Sequence, residues 1–383
     1  MRGVSDQDIP NFSRRELCGG GSAAALGALI AMTTGHAQPL RAEPIHGPVP
    51  EVDRLSVRVV VDSYQLAIAP AFELNGVKVE RFGFNLKPDQ PPRFSLLSEF
   101  GLSLHLESRI DRDTKNILVD FGFSPEAFVN NLDILGIAPE TLDGLVLSHG
   151  HFDHYGGLVG FLEQKGDQLP PKLPFVFGGE ECFCSREWTL GGKVSDFGHL
   201  DRSAITRSPL LPVVAEGPSI VAGHAFTTGQ IATRSFEKVL APSRMTIGEK
   251  DGVGCFADKM PEGKRTAVQI PDDFSHELAT CFNVKDRGLV VVTSCGHRGV
   301  VNSVKRAMEV SGVEKLHAVL GGFHLAPHPE PYVRETVLAL KDLKPDVIIP
   351  MHCTGEVFHD IMAKEMPDRL IRSYTGSRYT FGA

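Results

Sequence analysis

The 383-residue chain has little of what would point to nucleic acids or membranes. Its 39 Lys and Arg are outnumbered by 47 Asp and Glu, so the formal net charge is −8, and no run of basic residues occurs. A nucleic-acid-binding surface is therefore not expected. After the N-terminal stretch, no apolar run approaches the length of a membrane-spanning helix. Internal repeats are also absent, so a repeat architecture is not expected.

The densest group of metal-ligand side chains lies between residues 149 and 154. His149, His151, Asp153 and His154 follow the apolar run 142–147 and precede two glycines. This pattern predicts a buried strand that ends in a tight turn and opens a helix. Neutral imidazoles suit zinc, iron or manganese, and the carboxylate adds charge and a harder oxygen donor. Four such side chains in six positions predict a metal site.

The spacing of these four residues favours two ions. In an extended turn, side chains two positions apart point the same way, so His149 and His151 are predicted to bind one ion. Asp153 and His154 fall at the helix entry and face another direction, which suits a second ion. Two neighbouring ions stabilise both the attacking and the leaving oxygens of a displacement. Each ion still lacks protein ligands, which later segments must supply.

Three later histidines, His297, His324 and His352, stand just past apolar runs that read as strands, and each precedes a helix-like stretch. Asp120 follows the run 116–119 in the same way. Ligands in α/β folds collect at the carboxyl ends of strands. We therefore expect these four residues to meet the cluster at 149–154.

Together these motifs resemble the metallo-β-lactamase superfamily. More narrowly, they are similar to the branch of dihydropterin ribofuranosylaminobenzene-phosphate synthase-like metal-dependent hydrolases. The resemblance spans about residues 55 to 383, and it rests on the segments 146–158, 293–299, 321–325 and 350–355.

The resemblance implies an α+β fold, a four-layer αβ/βα sandwich of two mixed β-sheets with helices outside and the metals at one sheet edge. It implies two divalent ions, with zinc favoured over iron or manganese. His352 matches the final histidine ligand of the superfamily. Asp120 matches an early aspartate that orients the histidine loop, as a support more often than as a ligand.

The sequence departs from the wider superfamily at the aspartate that bridges both ions in many members. Cys295 occupies the corresponding position, and His297 follows two residues later. Either residue would complete the coordination, and we favour His297; a thiolate at Cys295 would favour a softer ion. His324 is a candidate for an accessory ligand or a substrate contact, whereas His224 is a weaker candidate for the missing third histidine.

The first 37 residues resemble a twin-arginine export signal. Arg14 and Arg15 precede a Gly/Ala-rich apolar stretch at 19–32, and small residues lie before Gln38. A linker is predicted over 38–54 and the metal-binding domain over 55–383. Export machinery would carry the folded, metal-loaded protein to the periplasm or the medium. The apolar stretch is too short for stable membrane insertion.

Periodicity fades between about 160 and 275. We interpret this segment as a strand near 174–177 followed by long loops, a lid or insertion over the metal face. Arg186, Arg202 and Trp188, the single tryptophan, are candidate substrate contacts. The alternative is a solvated insertion without a chemical role.

Without the cysteine of the export signal, six cysteines remain, and an even number in an exported protein permits disulfides. Cys182 and Cys184 are too close in sequence for an easy mutual bridge. Either residue is predicted to pair with Cys255. Cys295 and Cys353 adjoin the proposed ligands and are expected to be buried thiols.

A second kind of site is predicted at the turn Gly296–Gly299, which opens a helix-like stretch. Backbone N–H groups at a helix N-terminus, together with Arg298, favour an anion such as a phosphate, a carboxylate or a developing oxyanion. In the alternative, Arg298 ties down a loop.

The predicted activity is that of a metal-dependent hydrolase, in which a metal-activated water attacks an ester, lactone, amide or phosphoester bond of a small molecule. Asp153 is the predicted catalytic residue, and Arg298 and His324 are predicted to contact substrate. The alternatives are a di-iron redox enzyme, a pterin-type synthase and a non-catalytic metal-dependent binder. Export argues against the synthase, since cofactor biosynthesis is not expected outside the cytoplasm.

Overall fold

The computed structural model describes residues 39–83, 89–240 and 243–382, without the side chain of Leu190. The predicted export signal at 1–37 lies outside the described residues. Most of the predicted linker and domain lies within them. None of the helices in the described part of the chain is long and apolar enough to cross a membrane.

The described residues form 23 strands. They are β1 (Leu40–Arg41), β2 (Glu51–Val52), β3 (Arg54–Val61), β4 (Phe72–Leu74), β5 (Val77–Glu80), β6 (Ser103–Ile110), β7 (Asp113–Val119), β8 (Gly144–Leu147), β9 (Leu173–Phe177), β10 (Ser185–Leu190), β11 (Lys193–Asp196), β12 (Leu210–Val214), β13 (Ser219–Val221), β14 (Ala225–Thr227), β15 (Ser243–Thr246), β16 (Gly248–Lys250), β17 (Val253–Cys255), β18 (Gln269–Pro271), β19 (Thr280–Val284), β20 (Gly288–Thr293), β21 (Leu316–Gly322), β22 (Val347–Met351) and β23 (Arg378–Gly382).

Six α-helices accompany the strands in these described ranges. They are α1 (Pro125–Leu135), α2 (Phe152–Lys165), α3 (Arg202–Arg207), α4 (Val300–Ser311), α5 (Glu330–Asp342) and α6 (Glu356–Glu365).

Two large mixed sheets dominate the structure. The first has ten strands in the order β1-β12-β9-β8-β7-β6-β3-β23-β5-β4, and the second joins β13-β14-β19-β20-β21-β22, with β2 paired to β19. Within the first sheet β7, β8 and β9 run parallel, and within the second β20, β21 and β22 run parallel. Parallel neighbours place their carboxyl ends at one edge, where both sheets carry the predicted site residues.

The alternation of side chains along the strands produces four layers. Val146 of β8 belongs to the core between the two sheets, whereas its neighbours Leu145 and Leu147 pack towards α1 and α2. On the second sheet, Ile349 faces the same inter-sheet core and Ile348 packs towards α4, α5 and α6. Strands buried on both faces are expected where helices cover a sheet. The predicted α+β sandwich of two mixed sheets is confirmed.

The segment that joins β8 to α2 follows the predicted strand, turn and helix. The two glycines after the motif lie inside α2 and allow the helix to approach the loop after β7. A Cβ at Gly156 would lie 2.1 Å from the carbonyl oxygen of Phe123, and one at Gly157 would lie 2.2 Å from that of Phe121. Only glycine permits such close packing, which brings the N-terminus of α2 against the end of β7.

The prediction of long loops over residues 160–275 is wrong in its detail. The strand predicted near 174–177 is present as β9, but β12 also belongs to the ten-stranded sheet, and β13 and β14 belong to the second sheet. A separate four-stranded sheet has the order β11-β10-β15-β18. These strands are short, so their sequence periodicity is weak.

A disulfide between Cys184 and Cys255 joins the start of β10 to the end of β17. This pairing is one of the two that the sequence predicted. Cys182 is a buried free thiol, as are Cys295 and Cys353.

Candidate metal centre

Five predicted site residues and one further carboxylate collect where six strands end. The residues that follow these strands are Asp62 after β3, Asp120 after β7, His149 after β8, Cys295 after β20, His324 after β21 and His352 after β22. Three of the strands belong to each large sheet, so the site lies where the carboxyl ends of the two sheets meet.

His149, His151 and His297 form one group, here named the first trio. One ligand atom from each lies within 4.8 Å of the other two. The ring of His297 stacks on Phe274 with 3.7 Å between ring centres and 3° between planes. Nε2 of His151 lies 3.0 Å from the Ser243 hydroxyl, which leaves Nδ1 for an ion. The structure therefore places His297 with the first two histidines.

Asp153, His154 and His352 form the second trio, whose ligand atoms also lie within 4.8 Å of one another. Oδ2 of Asp153 lies 3.1 Å from Nε2 of His352 and 3.8 Å from Nε2 of His154. The backbone N–H of His352 donates to Oδ1 of Asp62 over 2.9 Å. The second trio thus joins the start of α2 to the end of β22.

Unpartnered nitrogens show that both trios fit metal ions. Among the described residues, Nε2 of His149, Nε2 of His154, both ring nitrogens of His297 and Nδ1 of His352 are buried without a hydrogen-bond partner. Buried polar atoms are rarely left in this state, because each costs about 1–3 kcal/mol. Coordination of a cation would satisfy several of them at once. The residues present therefore fit the divalent ions that the sequence predicted.

The protonation states of the first trio and of Asp153 also suit coordination. Burial and the neighbouring histidines hold the pKa of His149 and His297 well below the usual value, and burial lowers the pKa of His151 to about 3. Burial alone would raise the pKa of Asp153, but His154 and His352 beside it bring that pKa below its usual value. The first trio is thus neutral near pH 7 and Asp153 is ionised, as metal binding requires.

Asp120 stabilises the turn that carries residues 149–154. Its carboxylate accepts the backbone N–H of Ser148 at 2.8 Å and the Ser148 hydroxyl at 2.7 Å, and it lies 2.7 Å from Nδ1 of His154. A carboxylate on Nδ1 leaves Nε2 of His154 as the ligand atom and fixes the ring orientation. The described contacts of the Asp120 carboxylate are all with protein groups, as expected of a residue that supports the metal-binding turn.

Comparison with known proteins identifies a domain and the fold. Residues 108–169 match the model of the metallo-beta-lactamase superfamily. A solved metal-dependent hydrolase of the beta-lactamase superfamily shares the fold, with a TM-score of 0.60 at 21% identity, covering 85% of this chain and 98% of that chain. The chain carries a metallo-β-lactamase superfamily domain.

Two curated proteins of Methanocaldococcus jannaschii are similar to this chain. One is a 7,8-dihydropterin-6-methyl-4-(beta-D-ribofuranosyl)-aminobenzene-5'-phosphate synthase, 28% identical over 289 residues, which are 74% of this chain and 90% of the synthase. The other is an uncharacterised protein, 27% identical over 246 residues, which are 64% of this chain and 82% of that protein. The similarity agrees with the branch that the motifs indicated.

Between the two trios lies a small group of further potential ligands. Sγ of Cys295 is 3.1 Å from Sγ of Cys353 and 3.5 Å from Nδ1 of His324. The ring centres of His324 and His297 are 3.9 Å apart. The structure therefore brings His324 beside the first trio and places both cysteines at the floor of the site.

The site opens into a cavity with an aromatic wall. Residues of both trios, together with Trp188 and Phe197, line a narrow space of ≈ 70 Å³. An adjoining cavity of ≈ 550 Å³ shares Phe100, Trp188, His324 and Cys353 with it and continues past Tyr64 and Pro327. Phe100 is 53% exposed, so this wall is open to an incoming molecule.

The structure contradicts the predicted anion site at the start of α4, because the protein itself occupies the donors. The Glu277 carboxylate accepts the N–H groups of His297 and Arg298, at 2.9 and 2.7 Å. Glu237 accepts the first N–H groups of α4. Nε and Nη1 of Arg298 donate to the carbonyls of Ile231 and Asp273. Arg298 therefore ties down loops, which was the alternative interpretation.

Three weaker candidates also have other roles. His224 lies 3.0 Å from the Ser108 hydroxyl, far along β6 from the site. Arg186 is buried and pairs with Asp272 at 2.6 Å, while Arg202 pairs with Glu180. Of the three predicted substrate contacts, Trp188 lines the described cavities, whereas Arg186 and Arg202 are not among their described lining residues.

Sequence reasoning missed three contributors to the site. Asp62 follows β3 as Asp120 follows β7, so the pattern of polar residues after apolar runs could have revealed it. Ser243 and Phe274 lie in irregular or short-stranded segments without periodicity. Only the fold brings these two residues to the first trio.

Proposed function

We propose that this chain is a metal-dependent hydrolase that holds two divalent ions, with zinc favoured, and cleaves an ester, lactone, amide or phosphoester bond of a small molecule. The observation that supports it is the pair of adjoining trios at the end of an open cavity, several of whose buried ligand atoms have no hydrogen-bond partner among the described residues.

Divalent ions in such a site lower the pKa of bound water and stabilise the developing negative charge. The protein's part is to hold the ligands and to orient the reactants. Asp153 lines the narrow space, and its Oδ1 has no hydrogen-bond partner in the described structure. An ionised carboxylate in this position is suited to orient the nucleophile and accept its proton.

The cavity wall indicates how the substrate is held. Phe100, Trp188 and Tyr64 offer apolar ring faces, and none of the described residues that line the two adjoining cavities is a lysine or an arginine. Aromatic walls bind apolar or planar groups through burial of their surface. An uncharged group next to the scissile bond therefore fits this wall.

Hydrolysis of representative compounds tests the proposal. The zinc-loaded protein should cleave at least one of 4-nitrophenyl acetate, a γ-lactone, 4-nitroacetanilide and bis(4-nitrophenyl) phosphate. The chelator dipicolinate should abolish turnover and added Zn²⁺ should restore it. Asp133→Asn, an exposed change on α1, is the control. Full metal loading without turnover of any compound would reject a hydrolase and favour a metal-dependent binder.

A synthase is the second candidate, because the similar protein of M. jannaschii carries that name. Condensation of a pterin with a ribofuranosylaminobenzene phosphate by the loaded protein, without hydrolysis of the compounds above, would favour it. Iron in the purified protein with a visible absorption band would instead support the redox alternative.

A further inference from the structure

We propose that the thiolate of Cys295 is a ligand shared by the two candidate ions. The inference rests on the metal centre of the proposed function and adds a donor that belongs to neither trio. It concerns coordination alone, so it can fail while the hydrolase proposal stands.

The position of the sulfur supports sharing. Sγ of Cys295 groups within 4.8 Å with ligand atoms of His149 and His154, one from each trio. It also groups with His297 of the first trio and, separately, with His352 of the second. A donor that reaches both trios from one atom occupies the space between them.

The unpartnered nitrogens around the sulfur are the second observation. Nε2 of His149, Nε2 of His154 and both nitrogens of His297 are buried without partners in the described structure, and Cys295 itself is 2% exposed. These nitrogens and the Cys295 sulfur form a buried cluster in which every atom is a potential metal ligand. A cation on each side of the sulfur would satisfy them.

Charge gives a physical reason for a thiolate. The two trios together contain one carboxylate, that of Asp153, against two divalent ions. Buried charge is costly unless it is compensated. When the thiol of Cys295 binds, its proton leaves to solvent, and the thiolate adds one negative charge at the point closest to both ions.

The neighbouring Cys353 is less suited to sharing. It groups with Cys295 and His352, so its described donor contacts reach the second trio only. Its Sγ lies 3.1 Å from that of Cys295 and 3.5 Å from the Cys295 carbonyl oxygen. These contacts keep Cys353 beside Cys295 and away from the first trio. Cys353 is therefore the matched control for Cys295.

Cobalt substitution tests the proposal without any turnover. The metal-free full chain is loaded with Co²⁺ under reducing conditions, and absorption, electron paramagnetic resonance and bound cobalt are measured. We expect a near-ultraviolet sulfur-to-cobalt band and a resonance signal per ion that weakens when the second equivalent binds. Cys295→Ser should abolish the band and the weakening, and should lower the affinity for one ion more than the roughly 10- to 100-fold cost of altering a supporting residue.

The control variants sharpen the outcome. Cys353→Ser and the distant, buried Cys281→Ser should keep the band. Cys295→Asp should lose the band yet still bind two ions, since a carboxylate supplies the missing charge. A band that survives Cys295→Ser, or one that disappears in Cys353→Ser alone, overturns the proposal.

A measurement on the unsubstituted protein covers the case in which Cys295→Ser does not fold. Alkylation by iodoacetamide, located by peptide mass spectrometry, should be slowed at Cys295 by both the first and the second equivalent of Zn²⁺. Equal labelling of Cys295 with and without zinc would contradict a sulfur–metal bond.

Discussion

The two trios of the candidate centre differ in charge and in how they are held. The first trio contains three imidazoles, whose rings contact the ring of Phe274 and the hydroxyl of Ser243, while the Glu277 carboxylate accepts the backbone N–H of His297. The second trio contains the Asp153 carboxylate, and its histidines are held by two more carboxylates. Asp120 lies against His154, and Asp62 accepts the backbone N–H of His352.

This difference predicts unequal ions. A neutral site of nitrogen donors holds a borderline ion such as zinc through imidazole coordination, whereas the carboxylate-rich site adds electrostatic attraction for any divalent cation. The ion of the second trio should therefore be the tighter one and the more sensitive to loss of negative charge. The following predictions are arranged to test that contrast, beginning with the largest effect.

Asp153→Asn removes the single carboxylate of the second trio while keeping its shape. We expect bound zinc to fall from two ions to one per chain and hydrolysis to fall by more than about 100-fold, because loss of a direct ligand exceeds the cost of altering a supporting residue. Elemental analysis and the rate on the best ester measure both effects. Unchanged zinc content would show that Asp153 is not a ligand.

His297→Ala should remove the ion of the first trio and leave the other bound. The reason is that the ion then keeps only two histidine ligands, His149 and His151. Calorimetric titration of the metal-free variant with zinc should show one tight binding site. His352→Ala is the matched change in the second trio, and it should leave the weaker site. Identical titrations for the two variants would contradict two distinct trios.

Asp120→Asn should act through His154. The amide would present either a donor or a weak acceptor to Nδ1 of His154, so the ring would lose the charge that orients it. We expect the affinity for the second ion to fall about 10- to 100-fold, with the first ion unaffected. Competition with a zinc indicator measures each site. An equal loss at both sites would mean that Asp120 supports the whole turn.

The part of the site that lies within one turn could be predicted from the sequence. His149, His151, Asp153 and His154 are placed by local spacing, and the strand and helix around them follow from apolar runs. His352 and Asp120 were found because each stands directly after a buried strand. Patterns of this kind predict proximity in the folded protein, since the carboxyl ends of neighbouring parallel strands lie at the same edge of a sheet.

Residues from aperiodic segments could not be placed in this way. Glu277 and Glu237 lie outside the regular elements, yet their carboxylates accept the N–H groups that the sequence assigned to a ligand. A helix N-terminus requires acceptors, but its sequence does not say whether they come from a substrate or from the protein. The anion-site prediction at Arg298 was wrong for that reason.

Acid should destabilise the metal-free protein through the first trio. The pKa values of His149, His151 and His297 are lowered in the fold, so these groups stay neutral while the unfolded chain takes up protons below about pH 6.5. Their contribution is present above that pH and is lost as the pH falls towards about 3, the pKa of His151. The pKa of His352, raised to about 9, acts in the opposite direction.

Between pH 7.5 and 5.5 the first trio should lower the free energy of unfolding, since each of its histidines costs about 1.4 kcal/mol per pH unit below its unfolded pKa, while His352 offsets about one of the three. Urea unfolding of the metal-free protein at the two pH values measures the loss. His151→Gln should reduce it by about 1.4 kcal/mol, because one proton fewer is taken up on unfolding. A loss in His151→Gln as large as that in the unsubstituted protein would mean that His151 is not held neutral, and this part of the contrast between the two trios would disappear.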